Sequence, residues 1–360
     1  MTMQYRTPAR LGRPLSVIGQ GCWQLGSDWG EVSETDATAV LDTALDAGIT
    51  FFDTADVYGD GRSERLVGSF RAASTARTTE SASAGRAEER AGSAARAAST
   101  GQPLFVATKA SRRADPFVPE TFTEENIRAW IERSRTNLGM DTLDLVQLHC
   151  PPPAIYEDDR VFELLDTLVE EGKLAAWGVS VETCAEALRA LDRDHLASIQ
   201  IVLNPFRLKP LDEVVLQAEA KGVAIIARVP LASGLLSGRY DAQTTFAADD
   251  HRTYNRAGEA FDRGETFSGV DFDRGLQAVA RLKEALDGRM PLAEASLRWI
   301  VDQPGVTAAI PGARRPEQVR GNAAAGSQLT DDERMVLDAF DGAVRDTYDE
   351  LLRVRIHSQW

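Results

Sequence analysis

The stretch that decides the fold is FFDTADVYGDGRSERLVGSF, residues 51–70. It opens with an apolar run typical of a buried strand and continues through a polar segment containing glycine. It ends in a pattern of helical period over residues 63–70. A buried strand followed by a short polar segment and a helix is the unit from which parallel sheets are built.

The same unit recurs along the chain between residues 18 and 325. The predicted strands are 18–21, 50–53, 104–109, 143–149, 175–180, 198–203, 223–229 and 306–310. The predicted helices are 34–47, 63–70, 124–138, 161–171, 184–191, 211–221, 273–286, 292–301 and 316–325. Eight strand–helix units predict an α/β fold, a (β/α)₈ TIM barrel that occupies residues 1–360 as a single domain. The rival, an open doubly wound sheet, needs a G-x-G-x-x-G turn that GQGCWQLG does not supply.

Two segments interrupt this alternation. Residues 71–100 contain no aromatic residue and no Leu, Ile or Val, so they cannot bury enough apolar surface to offset the cost of ordering. We expect a disordered or loosely helical insertion between the second helix and the third strand, on the face opposite the site. Residues 235–272, the covering segment, follow the seventh strand and are expected to lie over the catalytic face.

Composition excludes several classes of partner. The formal net charge of −15 argues against binding to nucleic acid or to an anionic membrane surface. No run of 18 apolar residues predicts a membrane span, and the first residues do not resemble a signal peptide. Three cysteines, an odd number, indicate reduced thiols. We therefore expect a cytoplasmic protein, and its oligomeric state stays open.

Polar side chains end three successive strands of the predicted barrel. They are Asp53, Tyr58 just beyond it, Lys109 and His149. Taken singly, each has a structural explanation, as a cap, a packed ring or a solvated charge. Together they form a reaction centre, because a tyrosine beside a lysine can donate its proton to a carbonyl oxygen. An aspartate would hold the lysine, and a histidine would orient the carbonyl group.

Seven segments carry a family resemblance. These are GITFFDTADVYGDGRSERLVG, VATKAS, LDLVQLHCPPP, GKLAAWGVSVET, IQIVLNPF, VPLASGLLSGRY and AAIPGARRPEQVRGNAAA. In order and spacing they resemble the aldo-keto reductases over nearly the whole chain apart from residues 71–100. The resemblance implies a barrel that binds a nicotinamide cofactor, with Asp53, Tyr58, Lys109 and His149 matching the catalytic tetrad.

The resemblance also implies where NADPH binds. The residues it assigns to the cofactor are Gly21, Cys22, Trp23, Asp53, Ser180, Gln200, Arg228, Pro230, Leu231, Ser233, Gly234, Gly312, Arg314, Gln318 and Asn322. Residues 21–23 would contact the nicotinamide ribose, and Trp23 would also wall the substrate pocket. Ser180 and Gln200 would bind the carboxamide. The loop at 230–234 would receive the pyrophosphate, and 314–322 the adenosine with its 2′-phosphate.

Four positions depart from the pattern of the family. Val181 stands where many relatives have Asn, and Gly312 and Gly321 stand where some have Lys and an acidic residue. Arg228 replaces an aromatic ring. Two arrangements are open for its guanidinium, which either lies beside the nicotinamide or turns to pair with the pyrophosphate or with an acid of the covering segment.

These observations predict an NADPH-dependent reductase of a small-molecule aldehyde or ketone, with Tyr58 as the general acid. Two alternatives are a cofactor-binding regulatory subunit with little turnover and a Schiff-base lyase that uses Lys109. The four histidines show no spacing typical of metal ligands, and G-x-S-x-G is absent. Neither a metal site nor a hydrolase is predicted.

Overall fold

The fold is built on one ring of parallel strands. The computed structural model describes residues 2–26, 32–84, 104–260, 262 and 264–360. A short antiparallel hairpin, β1 (Tyr5–Arg6) and β2 (Leu15–Ser16), precedes the ring. The eight ring strands are β3 (Gln20–Gly21), β4 (Phe51–Asp53), β5 (Phe105–Ala110), β6 (Leu145–His149), β7 (Trp177–Ser180), β8 (Ser198–Val202), β9 (Ala224–Arg228) and β10 (Val306–Ala309). They pair in chain order, and parallel bridges from Ile18 to Ala309 and from Gly21 to Gly312 close the ring. The predicted (β/α)₈ barrel is confirmed.

Helices surround the ring. They are α1 (Glu34–Asp46), α2 (Arg62–Ala84), α3 (Glu124–Leu138), α4 (Asp159–Glu170), α5 (Cys184–Ala190), α6 (Lys209–Glu213), α7 (Val215–Ala220), α8 (His251–Tyr254), α9 (Phe272–Leu286), α10 (Leu292–Asp302), α11 (Pro316–Ala324), α12 (Asp331–Thr347) and α13 (Arg353–Ile356). One predicted helix, 211–221, is instead two, α6 and α7, which meet at Val214. The sequence patterns did not predict β1, β2, α8, α12 or α13.

The hydrophobic core has two layers. Inside the ring, a small cluster includes Phe51, Phe105, Leu145 and Ile226, and Leu15 of the hairpin joins it. A larger layer fills the space between the strands and the helices. The filled interior prevents a channel through the barrel, so the polar chemistry lies at the carboxyl ends of the strands.

Two expectations concern segments outside the ring. Residues 71–84 of the expected insertion continue α2, whereas 85–100 lie outside the described residues. The covering segment lies over the carboxyl ends of the strands, where several of its side chains line the main cavity. Within the described ranges, no helix combines the length and apolar character needed to cross a bilayer.

Candidate active site

The four side chains at the strand ends meet in space. The Lys109 ammonium donates to Asp53 Oδ1, to the Thr54 carbonyl at 2.9 Å and to the Tyr58 hydroxyl at 3.3 Å. The His149 ring stands edge-on to the Tyr58 ring, with centroids 6.0 Å apart. Asp53 and Lys109 are 2% and 1% exposed. The structure thus assembles the predicted proton donor beside a buried cation.

Burial and charge set the protonation of this group. Burial lowers the pKa of Lys109, but the charges of Asp53 and Tyr58 outweigh it, so the net shift is upward. Burial raises the pKa of Tyr58, and the Lys109 charge opposes that rise. At neutral pH, Lys109 is therefore an ammonium ion and Tyr58 keeps its proton. A charged lysine held by three acceptors disfavours the Schiff-base alternative.

His149 is held neutral. Burial, and then the charges of Arg112 and Lys109, keep the pKa of its imidazole well below its usual value. Its backbone N–H donates to Ser111 Oγ at 3.3 Å. Its Nδ1 has no hydrogen-bond partner among the described residues. A neutral imidazole in this position can donate one hydrogen bond to a carbonyl oxygen.

Two glycines hold Tyr58 close to the segment that carries Trp23. The two rings stack with centroids 5.9 Å apart. Gly59 has a positive φ of 56°, and a Cβ there would overlap the Gly26 carbonyl. A Cβ on Gly26 would lie 2.7 Å from the Gly59 nitrogen. Only glycine at both positions allows the two backbones to touch.

A cavity of about 700 Å³ opens beside Tyr58, within the size range of ligand sites. The predicted residues that line it are Gly21, Cys22, Trp23, Asp53, Tyr58, His149, Gln200, Arg228, Pro230, Leu231, Ser233, Gly234, Gly312, Arg314 and Gln318. Three predicted residues do not line it. Lys109 lies behind Asp53 and Tyr58, Ser180 lies 3.6 Å from the Cys150 thiol, and Asn322 donates to the Gly312 carbonyl at 3.5 Å.

Comparison with known proteins gives the family. Residues 17–341 match the family model described as Aldo/keto reductase family. The chain belongs to the aldo-keto reductase family. It is 29% identical over 325 residues to the aldo-keto reductase YhdN of Bacillus subtilis, covering 88% of this chain and 87% of that protein.

Two solved structures resemble the described fold. The glycerol dehydrogenase AKR11B4 of Gluconobacter oxydans has a TM-score of 0.66 and 28% identity, covering 94% of each chain. An aldo-keto reductase of Klebsiella pneumoniae, solved with NADPH, has a TM-score of 0.61 and 22% identity, covering 94% of this chain and 95% of that one. Because the chain belongs to the aldo-keto reductase family, it is an oxidoreductase.

Gln200 of this aldo-keto reductase has a partner that sequence reasoning did not predict. Its amide Nε2 donates to Asp53 Oδ2 at 2.8 Å, so both carboxylate oxygens of Asp53 accept a hydrogen bond. Gln318 is likewise engaged, because its Oε1 accepts from the backbone N–H groups of Arg314 and Arg315 at the start of α11. The Arg314 side chain is half-buried at the cavity wall and pairs with no described residue.

Arg228 adopts one of the two arrangements left open by the sequence. Its guanidinium forms an ion pair with Glu265 of the covering segment and donates to the Val181 carbonyl at 3.0 Å. Arg228 is 8% exposed, and a guanidinium buried to that extent requires a counter-charge. Its charge is therefore balanced by the protein, and it does not face the cavity as an isolated cation.

Several residues of the cavity wall were not predicted. They are Gln24, Val57, Arg112, Val229, Ser237, Arg239, Tyr240, Arg252, Tyr254, Ala260, Asp262, Glu265, Ile310, Pro311 and Ala313. About half belong to the covering segment, which has no periodic pattern that could place its side chains. The charged residues of DRGE, 262–265, are the sequence feature that could have indicated a polar cavity wall in this segment.

Asp56 is a second buried carboxyl group in the loop that carries Tyr58. It is 0% exposed, and neither of its carboxylate oxygens has a side-chain partner among the described residues. Burial, and then the nearby charge of Glu64, raise the pKa of Asp56 to about 7. Glu64 instead accepts from Thr108 and Asn137. The folded protein thus favours the neutral form of Asp56.

We expect Asp56→Asn to remove a pH dependence of stability. The unfolded pKa is about 3.9, so the wild type loses stability as pH rises from about 4 to the folded value of about 7. Between pH 5 and pH 8 the variant should gain about 1–3 kcal/mol relative to wild type, measured by urea unfolding. Asp60→Asn, at an exposed neighbour paired with Arg113, is the control. Parallel pH profiles for wild type and Asp56→Asn would contradict the expectation.

Proposed function

We propose that this aldo-keto reductase uses NADPH to reduce the carbonyl group of a small aldehyde or ketone, with Tyr58 as the general acid. The observation that carries the proposal is the Tyr58 hydroxyl, 3.3 Å from the Lys109 ammonium on the wall of a cavity that extends to Arg314. Tyr58 thus combines a lysine partner with a place on that wall.

Each residue of the tetrad has a separate task in this proposal. When bound, the nicotinamide supplies the hydride. Tyr58 gives its proton to the carbonyl oxygen, and the Lys109 ammonium stabilises the phenolate that remains. Asp53 holds Lys109 in place and balances its charge. His149, neutral at pH 7, donates a hydrogen bond that orients the carbonyl group.

The residues along the cavity fit a phosphorylated dinucleotide. The guanidinium of Arg314 has no described partner, and Arg239 also lines the cavity. Two cations that form no ion pair with a described residue suit the phosphates of NADPH, because a guanidinium binds phosphate through paired hydrogen bonds. The Klebsiella pneumoniae relative was solved with NADPH, which supports the same choice.

Arg314→Ala should weaken binding of NADPH much more than binding of NADH. Loss of a charged hydrogen bond to the 2′-phosphate would cost about 1.5–3 kcal/mol, or roughly 10- to 150-fold in Kd. Fluorescence titration of both cofactors measures the two losses. Arg320→Ala, an exposed arginine of α11 near Glu317, is the control. Equal losses for NADPH and NADH would show that Arg314 does not bind the phosphate.

The substrate pocket favours a hydroxylated carbonyl compound. Trp23 and Val57 give the cavity an apolar wall, whereas Arg112 and Asp262 give it a polar one that can donate and accept hydrogen bonds. The Gluconobacter oxydans relative is a glycerol dehydrogenase, which agrees with this polarity. A site that hydrogen-bonds a hydroxyl group discriminates strongly against an analogue that lacks it.

The test is NADPH oxidation with matched three-carbon aldehydes. Glyceraldehyde should be reduced with a kcat/KM at least about tenfold above that of propanal. Equal values would remove the proposed hydroxyl preference and leave the reductase proposal standing. Absence of turnover with every aldehyde, together with normal NADPH binding, would favour the regulatory-subunit alternative.

A further inference from the structure

A charged cluster lies directly beside the catalytic histidine. We call Arg112, Glu182 and Asp262 the Arg112 cluster. Arg112 Nε donates to the backbone carbonyl of His149 at 2.9 Å, and its Nη2 pairs with Asp262 of the covering segment. The same Nη2 lies 3.7 Å from Glu182, just beyond β7. Arg112 therefore joins the carboxyl end of β6, the end of β7 and the covering segment.

The cluster carries one positive and one negative charge at neutral pH. Burial, and then a hydrogen bond with Asp262, raise the pKa of Glu182 to about 8, so Glu182 keeps its proton. Burial also raises the pKa of Asp262, but the hydrogen bond from Glu182 and the charge of Arg112 outweigh burial and hold this pKa well below the usual value. Asp262 is thus an ionised acceptor for both neighbours.

These carboxyl groups are not free to bind a metal ion. Ligand atoms of Cys150, Glu182 and Asp262 lie within 4.8 Å of one another, which is the spacing of a metal site. However, the Asp262 carboxylate already forms an ion pair with Arg112. Burial raises the pKa of the Cys150 thiol to about 12, which disfavours the thiolate that would bind a metal ion. The arginine takes the place that a cation would have.

Five groups face the His149 imidazole. They are the charges of Arg112, Lys109, Asp262 and Arg228 and the ring of Tyr58. Lys109 is neutralised by Asp53, and Arg228 is neutralised by Glu265. Arg112 differs from the others because it is also bonded to the backbone of His149 itself.

We propose that Arg112 is a positioning residue that fixes His149 against the covering segment and places a positive charge beside its imidazole. The Nε bond fixes the backbone from which the ring projects, and the Asp262 pair ties that backbone to the covering segment. The positive charge disfavours a second proton on the ring. A neutral ring in a fixed position is what a hydrogen-bond donor to a substrate carbonyl requires.

Arg112→Met removes both the hydrogen bond to the His149 backbone and the positive charge beside the ring, so it tests the two effects together. The ring-proton NMR signal of His149, assigned with His149→Gln, should titrate at a pH about one unit higher than in wild type. This measurement uses the cofactor-free protein, so it remains informative if the proposed reductase activity fails. In the reductase assay, kcat/KM should fall about tenfold or more, while the Kd for NADPH stays within about twofold.

Arg112→Lys separates position from charge and serves if Arg112→Met does not fold. Lysine keeps the cation but lacks the planar fork that reaches His149 and Asp262 together. We expect the His149 titration to stay near the wild-type value and kcat/KM to fall. Arg113→Met, at the adjacent arginine that pairs with Asp60, is the control and should change neither quantity. Unchanged titration in Arg112→Met, or wild-type kcat/KM in Arg112→Lys, would overturn the proposal.

Discussion

Tyr58→Phe should lower kcat about 10²- to 10⁴-fold while leaving the Kd for NADPH within about twofold of wild type. The substitution removes one hydroxyl group and keeps the ring that stacks on Trp23. In the structure, this hydroxyl is the group that combines a retained proton with a neighbouring ammonium, because burial raises its pKa and Lys109 stands 3.3 Å away. Without it, no positioned acid remains to protonate the developing alkoxide.

Steady-state kinetics with glyceraldehyde and fluorescence titration of NADPH measure these two quantities. Tyr156→Phe is a matched control, since Tyr156 is also buried but does not line the cavity. Its kcat should stay within about twofold of wild type. A Tyr58→Phe enzyme with the wild-type kcat would show that another group donates the proton.

Lys109→Met should lower the free energy of unfolding by about 3–5 kcal/mol, besides abolishing most turnover. The stability falls because the carboxylate of Asp53 loses its ion-pair partner. Asp53 is 2% exposed, and its cationic partner is Lys109, so the variant buries an uncompensated negative charge. Gln200 continues to donate to Asp53 Oδ2, but a neutral amide offsets only part of that cost.

The double variant Asp53→Asn/Lys109→Met separates the charge from the packing. An asparagine fills the same space and still accepts from Gln200, so the double variant should recover at least half of the lost stability in urea unfolding. Arg128→Met, which breaks an exposed pair with Glu171, should cost less than about 1 kcal/mol. A double variant no more stable than Lys109→Met alone would show that the loss comes from packing.

The ring of strands was predictable because its signal is local. Each strand is a short apolar run bounded by polar or turn residues, and the observed bounds differ from the predicted ones by no more than two residues. Asp53 and His149 were predictable in the same way because they end their strands, and Lys109 is the next-to-last residue of β5. Tyr58 follows from the short loop that links β4 to α2. In a (β/α)₈ barrel, the carboxyl ends of all strands lie on one face. A residue at the end of a predicted strand can therefore be placed on that face from the sequence alone.

Pairings across the cavity were not predictable in the same way. Arg228 meets Glu265 and Arg112 meets Asp262, and these partners are 37 and 150 residues apart in the chain. Both acids belong to the covering segment, whose path has no helical or strand period. The hairpin of β1 and β2 was missed for a different reason, since strands of two residues are too short to show alternation.

The contact between Gly26 and Gly59 has a consequence for engineering this enzyme. Because two main chains touch there, the backbone beside Tyr58, the proposed acid, is positioned by these two glycines. A library that varies Trp23 should therefore reshape the cavity wall while the backbone that carries Tyr58, the proposed proton donor, stays in place. The two glycines are the positions to hold constant in such a library, so that the range of substrates accepted can be selected separately from the rate of the reaction.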